Sequence, residues 1–141
     1  MIARSHEAPV RQLRLVVVAE DYEEAVRFYR EVLGLREELA VDGPDGARVT
    51  ILEAGRATLE IANPAQKAFI DDVEVGRAVA PRLRVAFEVA DSQAMTERLV
   101  EEGARLIAPV TETPWRSLNA RLAAPANLQI TLFQELEPES A

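Results

Sequence analysis

The segment Leu13-Arg14-Leu15-Val16-Val17-Val18, followed by Asp21, returns as Leu83-Arg84-Val85-Ala86-Phe87-Glu88, followed by Asp91, an offset of 70 residues in a chain of 141. Each copy leads into a helical stretch. A repeat near half the chain length reads as one module present twice, and a doubled module builds its pocket between the copies, so each functional position is expected once per half. The repeat therefore says where chemistry is to be sought.

In the first copy Leu13, Leu15 and Val17 alternate with Arg14, Val16 and Val18, which predicts a strand with an aliphatic face toward its helix and Arg14 on the other side. Asp21-Tyr22-Glu23-Glu24 opens the helix with an acidic first turn, Tyr22, Ala25, Val26, Tyr29, Val32 and Leu33 follow at helical spacing, and Gly34 ends it. Leu39 to Ala62 reads as three strands, broken at Gly43-Pro44-Asp45-Gly46 and at Ala54-Gly55. Module one spans 12–62 and module two 82–134, within a single domain over 1–141. The connection, 63–81, has no steady period beyond a short helical turn near Gln66 to Asp71, and 1–11 and 135–141 are tails.

The second module repeats the order: a strand at Leu83 to Val89, a helix from Ser92 to Glu102 stopped by Gly103, then strands near Arg105 to Pro109, Ser117 to Ala123 and Leu128 to Gln134. Pro125-Ala126-Asn127 supplies the last turn, with Asn127 suited to a left-handed backbone. The fold class expected is α+β: tandem β-α-β-β-β modules whose curved mixed sheets surround a cleft. Leu13, Leu15, Val17, Tyr29, Val32, Val85, Phe87, Val89, Met95 and Leu99 are its expected core.

With 16 basic against 24 acidic residues the net charge is −8, which disfavours nucleic acid, where attraction to phosphate dominates affinity. No apolar run suits a bilayer span and 1–11 has no apolar signal core, so no membrane partner and a cytoplasmic location are expected. There is no cysteine, and the one histidine, His6, lies in the polar N-terminal tail. Thiolate chemistry and sulfur metal sites are excluded. The acidic runs Glu20-Asp21, Glu23-Glu24, Glu37-Glu38 and Glu101-Glu102 read as solvated helix ends and edges.

The tandem pattern, with "AEDYEEAVRFYREVLGL" over the first helix and "RVAFEVAD" opening the second module, resembles the vicinal oxygen chelate superfamily over residues 12 to 134. That group includes glyoxalase I, extradiol dioxygenases, fosfomycin-resistance enzymes and bleomycin-resistance binding proteins. The resemblance implies one metal-ligand position on the first and last strand of each module. These positions fall on Arg14, Glu60, Arg84 and Thr131. Only Glu60 is a strong ligand, and two guanidiniums that stay protonated take the charge position a cation needs, so neither metal nor other cofactor is expected.

Strand alternation places Arg14, Arg48, Thr50 and Glu60 from module one on the cleft face, with Arg84, Asn119, Arg121, Gln129 and Thr131 from module two. Trp115, just ahead of a cleft strand, reads as an apolar lid over a ligand or as plain surface packing. Arg14, Glu60 and Arg84 read as ligand contacts or as an ion triad that ties the modules together. The candidate ligand-binding set is Arg14, Arg48, Glu60, Arg84, Trp115, Asn119, Arg121 and Thr131, with no catalytic residue assigned unless it is Glu60. The resemblance implies a metal-independent small-molecule binding protein, a homodimer that sequesters or senses a drug or metabolite. The alternative is a lyase, isomerase or dioxygenase with a reduced metal site using Glu60, and a third reading is a partner-binding module without a cleft.

Overall fold

A computed structural model describes residues 12, 14–58, 60 and 62–137. Helix α1 (Tyr22–Val26) continues into a wider π turn (Arg27–Val32) and is followed by the hairpin β1 (Glu37–Asp42) and β2 (Arg48–Leu52). Helix α2 (Pro64–Glu74) fills the connection, and β3 (Val85–Glu88), α3 (Ser92–Glu101), β4 (Arg105–Glu112), β5 (Ser117–Ala124) and β6 (Leu128–Glu135) complete the chain. The architecture is mixed α+β, as expected. β1 and β2 form one antiparallel sheet; the second has the order β3-β6-β5-β4, with β3 parallel to β6 and the other pairs antiparallel.

The two helix starts of the repeated sequence are built alike. The Asp21 carboxylate accepts from the Glu24 amide at 3.0 Å, and the Asp91 carboxylate, 70 residues on, accepts from the Ala94 amide at 3.0 Å. Each Asp satisfies an amide that a helix start leaves without a partner. Gly34 (φ +94°) and Gly103 (φ +114°) follow the two helices in a conformation that favours glycine, and Asn127 turns the β5–β6 hairpin at φ +59°.

Among the described residues the buried apolar side chains form one cluster. Phe28, Tyr29 and Val32 from the first helical segment meet Leu99, Ala104, Ala120, Leu122, Ile130 and Leu132 of the second module. The Tyr29 hydroxyl donates to the Pro125 carbonyl at 2.9 Å, and burial pushes its pKa up. Val85, Phe87, Val89 and Met95 pack partly buried around this cluster, as the alternation requires.

Module one departs from the expected pattern. Residues 14–19 pair with no strand, and Leu15, Val16, Val17 and Val18 are 55%, 84%, 39% and 85% exposed, so the expected burial of Leu15 and Val17 does not occur; Leu13 lies outside the described residues. The third strand of the meander is likewise absent at 58, 60 and 62, with Leu59 and Ile61 outside the described set. Alternation prepares a segment for a sheet but supplies no neighbour, and among the described residues no strand takes up those amides. The helical turn expected at 66–71 is instead the 11-residue α2, started by Asn63, whose side chain accepts from the Gln66 amide, and by Pro64 in its first turn.

Candidate functional site

Each strand of the second sheet turns alternate side chains to opposite faces. Leu122, Ile130 and Leu132 point into the core, so Arg121, Gln129 and Thr131 point away from it, with Arg121 opposite Thr131 in register. The result is a polar face of Arg84, Asn119, Arg121, Gln129 and Thr131. Sequence alternation anticipated this face.

Its cover was not anticipated. Helix α2 lies across it and sets Asp71 and Glu74, three residues apart and so on the same side of the helix, against Arg121. Arg121 Nη1 donates to Asp71 Oδ1 at 2.8 Å and to Gln129 Oε1 at 2.9 Å, while Nη2 and Nε donate to Glu74 Oε1 at 2.7 and 3.2 Å. Asn119 Nδ2 donates to Glu74 Oε2 at 2.7 Å, and Asn119 Oδ1 accepts from Ser117 Oγ at 2.6 Å. The second Asp71 oxygen accepts from the Val79 and Ala80 amides, each at 3.1 Å, and from Lys67 Nζ at 3.3 Å. Arg121 is 0% exposed, yet it is paired with both Asp71 and Glu74, which makes burial of these three ionised groups tolerable.

Burial by itself would push the Asp71 carboxyl up. The Arg121 guanidinium, the Ala80 and Val79 amides and Lys67 outweigh it and hold the group down at about 2, against an ordinary 3.8. An unfolded chain takes up this proton at higher pH than the folded one does. The contribution of Asp71 to stability, about 2 kcal/mol, is therefore complete above roughly pH 5 and is lost as the pH falls toward 2. Urea unfolding of the parent and of Asp71→Asn from pH 6 to 2.5 should show a shallower acid decline in the variant, and equal slopes would refute the assignment.

The candidate residues divide into those gathered on this face and those placed elsewhere. Arg84, Asn119, Arg121 and Thr131 are gathered on it. Half-buried Arg84 donates through Nη1 to the Thr131 hydroxyl and has no carboxylate within ion-pair distance among the described residues. Burial and the nearby Arg121 charge pull its pKa down, against the opposing fields of Glu74, Asp71 and Glu60. Trp115, 46% exposed, is tilted against Phe69 of α2 with ring centroids 6.2 Å apart.

Arg14 instead pairs with Glu38 at 3.5 Å, so the Arg14–Glu60–Arg84 triad is not formed. Arg48 lies 4.6 Å over the Tyr22 ring and binds Glu23 at 2.8 Å. Glu60 is exposed and makes no ion pair among the described residues. Asp71, Glu74 and Phe69 were the residues missed; the signal that could have found them was Asn63-Pro64, a helix start, followed by two carboxylates at i and i+3.

Arg14, Glu60, Arg84 and Thr131 do not fit a divalent metal, because the set offers one carboxylate against two permanent cations and a hydroxyl, and Arg14 is engaged elsewhere, by Glu38. Among the described residues no group of three or more His, Cys, Asp or Glu side chains converges to hold one. No helix among them is long and apolar enough to cross a membrane.

Comparison with known proteins agrees with this architecture. TnmS3, an antibiotic binding protein from Streptomyces sp. CB03234, superposes with a TM-score of 0.61 at 23% identity, covering 92% of this chain and 100% of that one. A glyoxalase family protein from Bacillus cereus gives 0.59 at 19% identity, over 96% and 100% of the two chains. A glyoxalase-related enzyme from Fulvimarina pelagi gives 0.55 at 21%, over 94% of each. At these identities the likeness is one of fold. No curated protein matches the sequence. Residues 11–132, most of the chain, match the family described as the glyoxalase/bleomycin resistance protein/dioxygenase superfamily, and to that superfamily the chain belongs.

Proposed function

We propose that this protein is a metal-independent binding protein for a small anionic molecule, which it holds without transforming. The observation that carries this reading is Arg84: a half-buried guanidinium on a polar sheet face, supported by the Thr131 hydroxyl and matched by no carboxylate among the described residues. A guanidinium fork in that setting suits a carboxylate, enolate or phosphate. Arg121 is already occupied by Asp71 and Glu74 and makes the weaker candidate. Trp115 and Phe69, both exposed and in contact with each other, offer an aromatic surface where α2 meets the start of β5, which favours a ligand with an aromatic part. The description of TnmS3 as an antibiotic binding protein is consistent with a binding role on this fold.

A thermal-shift screen of small anions, with and without divalent metals, is the direct test, since a ligand that binds only the folded chain raises its melting temperature. Anionic aromatic compounds are expected to stabilise, and Mn, Zn, Ni and Fe are not. Arg84→Ala should weaken the ligand so found by about 1.5–3 kcal/mol, the range for a hydrogen bond to a charged group, and Trp115→Ala should weaken it with little effect on folding. Unchanged affinity in both variants would remove the site assignment. Stoichiometric binding of a transition metal would favour the catalytic alternative that uses Glu60.

The reading includes a homodimer. Among the described residues, 15–18 form an apolar segment without a sheet and β2 and β3 each end a sheet, so a second copy has somewhere to pair.

A further inference from the structure

Helix α2 is attached differently from α1 with its π turn and from α3. None of its residues belongs to the apolar core or packs against it; it is held by Asp71 and Glu74 on Arg121 and by Glu74 on Asn119. Behind it Val79 and Ala80 donate to Asp71, and on its outer side Phe69 rests against Trp115. An element held chiefly by ion pairs and hydrogen bonds, with Phe69 on Trp115 and the half-buried Ile70 and Val73 as its apolar share, belongs to the part of a structure that opens most easily, because water or another ion can meet the same polar groups.

We propose that α2 is a displaceable cover over the polar face of the second sheet, and that Asp71 and Glu74 stand in for the two acidic groups of a dianionic ligand which competes with them for Arg121. This rests on the reading of that face as the ligand site. The chemistry on both sides of the competition is the same, since a carboxylate of the chain and an oxyanion of a ligand bind a guanidinium in the same geometry. A ligand with one acidic group would leave Arg121 with its second partner still in place. One with two would release α2 and gain Arg84 and Thr131, the unneutralised cation and hydroxyl beside it. While α2 is docked, apparent affinity is reduced by the fraction of molecules that are open.

Amide hydrogen exchange on the intact protein tests this, with Trp115 as an internal reporter because it is the only tryptophan and lies against α2. Amides of α2 are expected to exchange at least about tenfold faster than those of α3 and β5, through an opening that leaves the core closed. Millimolar phosphate or succinate should speed α2 exchange further and shift Trp115 emission to the red, whereas sodium chloride at equal ionic strength should not. A response to phosphate alone would assign the ligand class to phosphate esters, and a response to succinate alone to dicarboxylates. In Asp71→Asn/Glu74→Gln the responding anion should bind about tenfold tighter or more; if that variant does not fold, exchange in the parent decides the matter. Exchange of α2 that matches α3 and β5 under every condition would overturn the cover, and Arg84-dependent binding found in the screen would still stand. A fast α2 that ignores both anions would overturn the competition. Loss of the binding reading would show separately, as ligands indifferent to Arg84→Ala.

Discussion

Leu122→Ala is expected to lower the free energy of unfolding by about 2–5 kcal/mol, the range for truncating a buried leucine to alanine. Leu122 is 0% exposed on β5, an interior strand of the second sheet, opposite Leu106 on one side and Ile130 on the other. It belongs to the single cluster that also receives Phe28, Tyr29 and Val32 from the first helical segment. The space it leaves is lined by the buried side chains of that cluster, anchored on a sheet whose backbone is paired on both sides of β5, which limits collapse and moves the cost toward the upper end. Since a domain of this size is stable by only about 5–15 kcal/mol, the loss is a large share of the total. The urea midpoint should fall with an unchanged slope. Leu15→Ala, at a position 55% exposed, should change the unfolding free energy of a dilute single chain by less than about 0.5 kcal/mol. Similar losses at both positions would mean that residues 14–19 are packed into the core.

That contrast also marks how far the sequence could be read. Val85, Phe87, Leu122, Ile130 and Leu132 on one face of the second sheet, with Arg84, Asn119, Arg121, Gln129 and Thr131 on the other, follow from period-two alternation. The two Asp caps and the positive φ at Gly34, Gly103 and Asn127 follow from local backbone chemistry. Leu15 to Val18 carry a similar alternation signal and form no strand in the chain, because alternation describes one strand while a sheet needs a neighbour. The cover over the polar face was hidden for a different reason. Helix α2 is fixed by Asp71 and Glu74, and a method that looks for buried apolar residues is blind to an element buried through its carboxylates. The placement of Arg14 on Glu38, and so the fate of the expected triad, depended on that missing first strand.

The same missing strand leads to the second large effect: in solution the protein should have twice the mass of one chain, by light scattering at micromolar concentration. A two-stranded hairpin such as β1–β2 is marginal by itself, and Leu39, Val41 and Val49 on it are about half exposed, next in the module to the four apolar residues Leu15 to Val18. An exposed apolar patch whose amides find no strand among the described residues is the usual mark of an interface, and a second copy supplies strand edges and apolar cover together. A two-fold arrangement makes the contact self-complementary, so every charge placed in it is buried twice. Val16→Lys combined with Val18→Lys adds charge where the single chain is 84% and 85% exposed, so the fold of one chain should be unaffected. In the assembly the same lysines would have to be desolvated in pairs near like charges, and the mass should fall to that of one chain with the helical circular dichroism retained. A parent mass of one chain at every concentration would refute the dimer and leave Leu15 to Val18 as an apolar surface without a partner. A double-lysine variant that keeps twice the mass would place the interface away from residues 14–19.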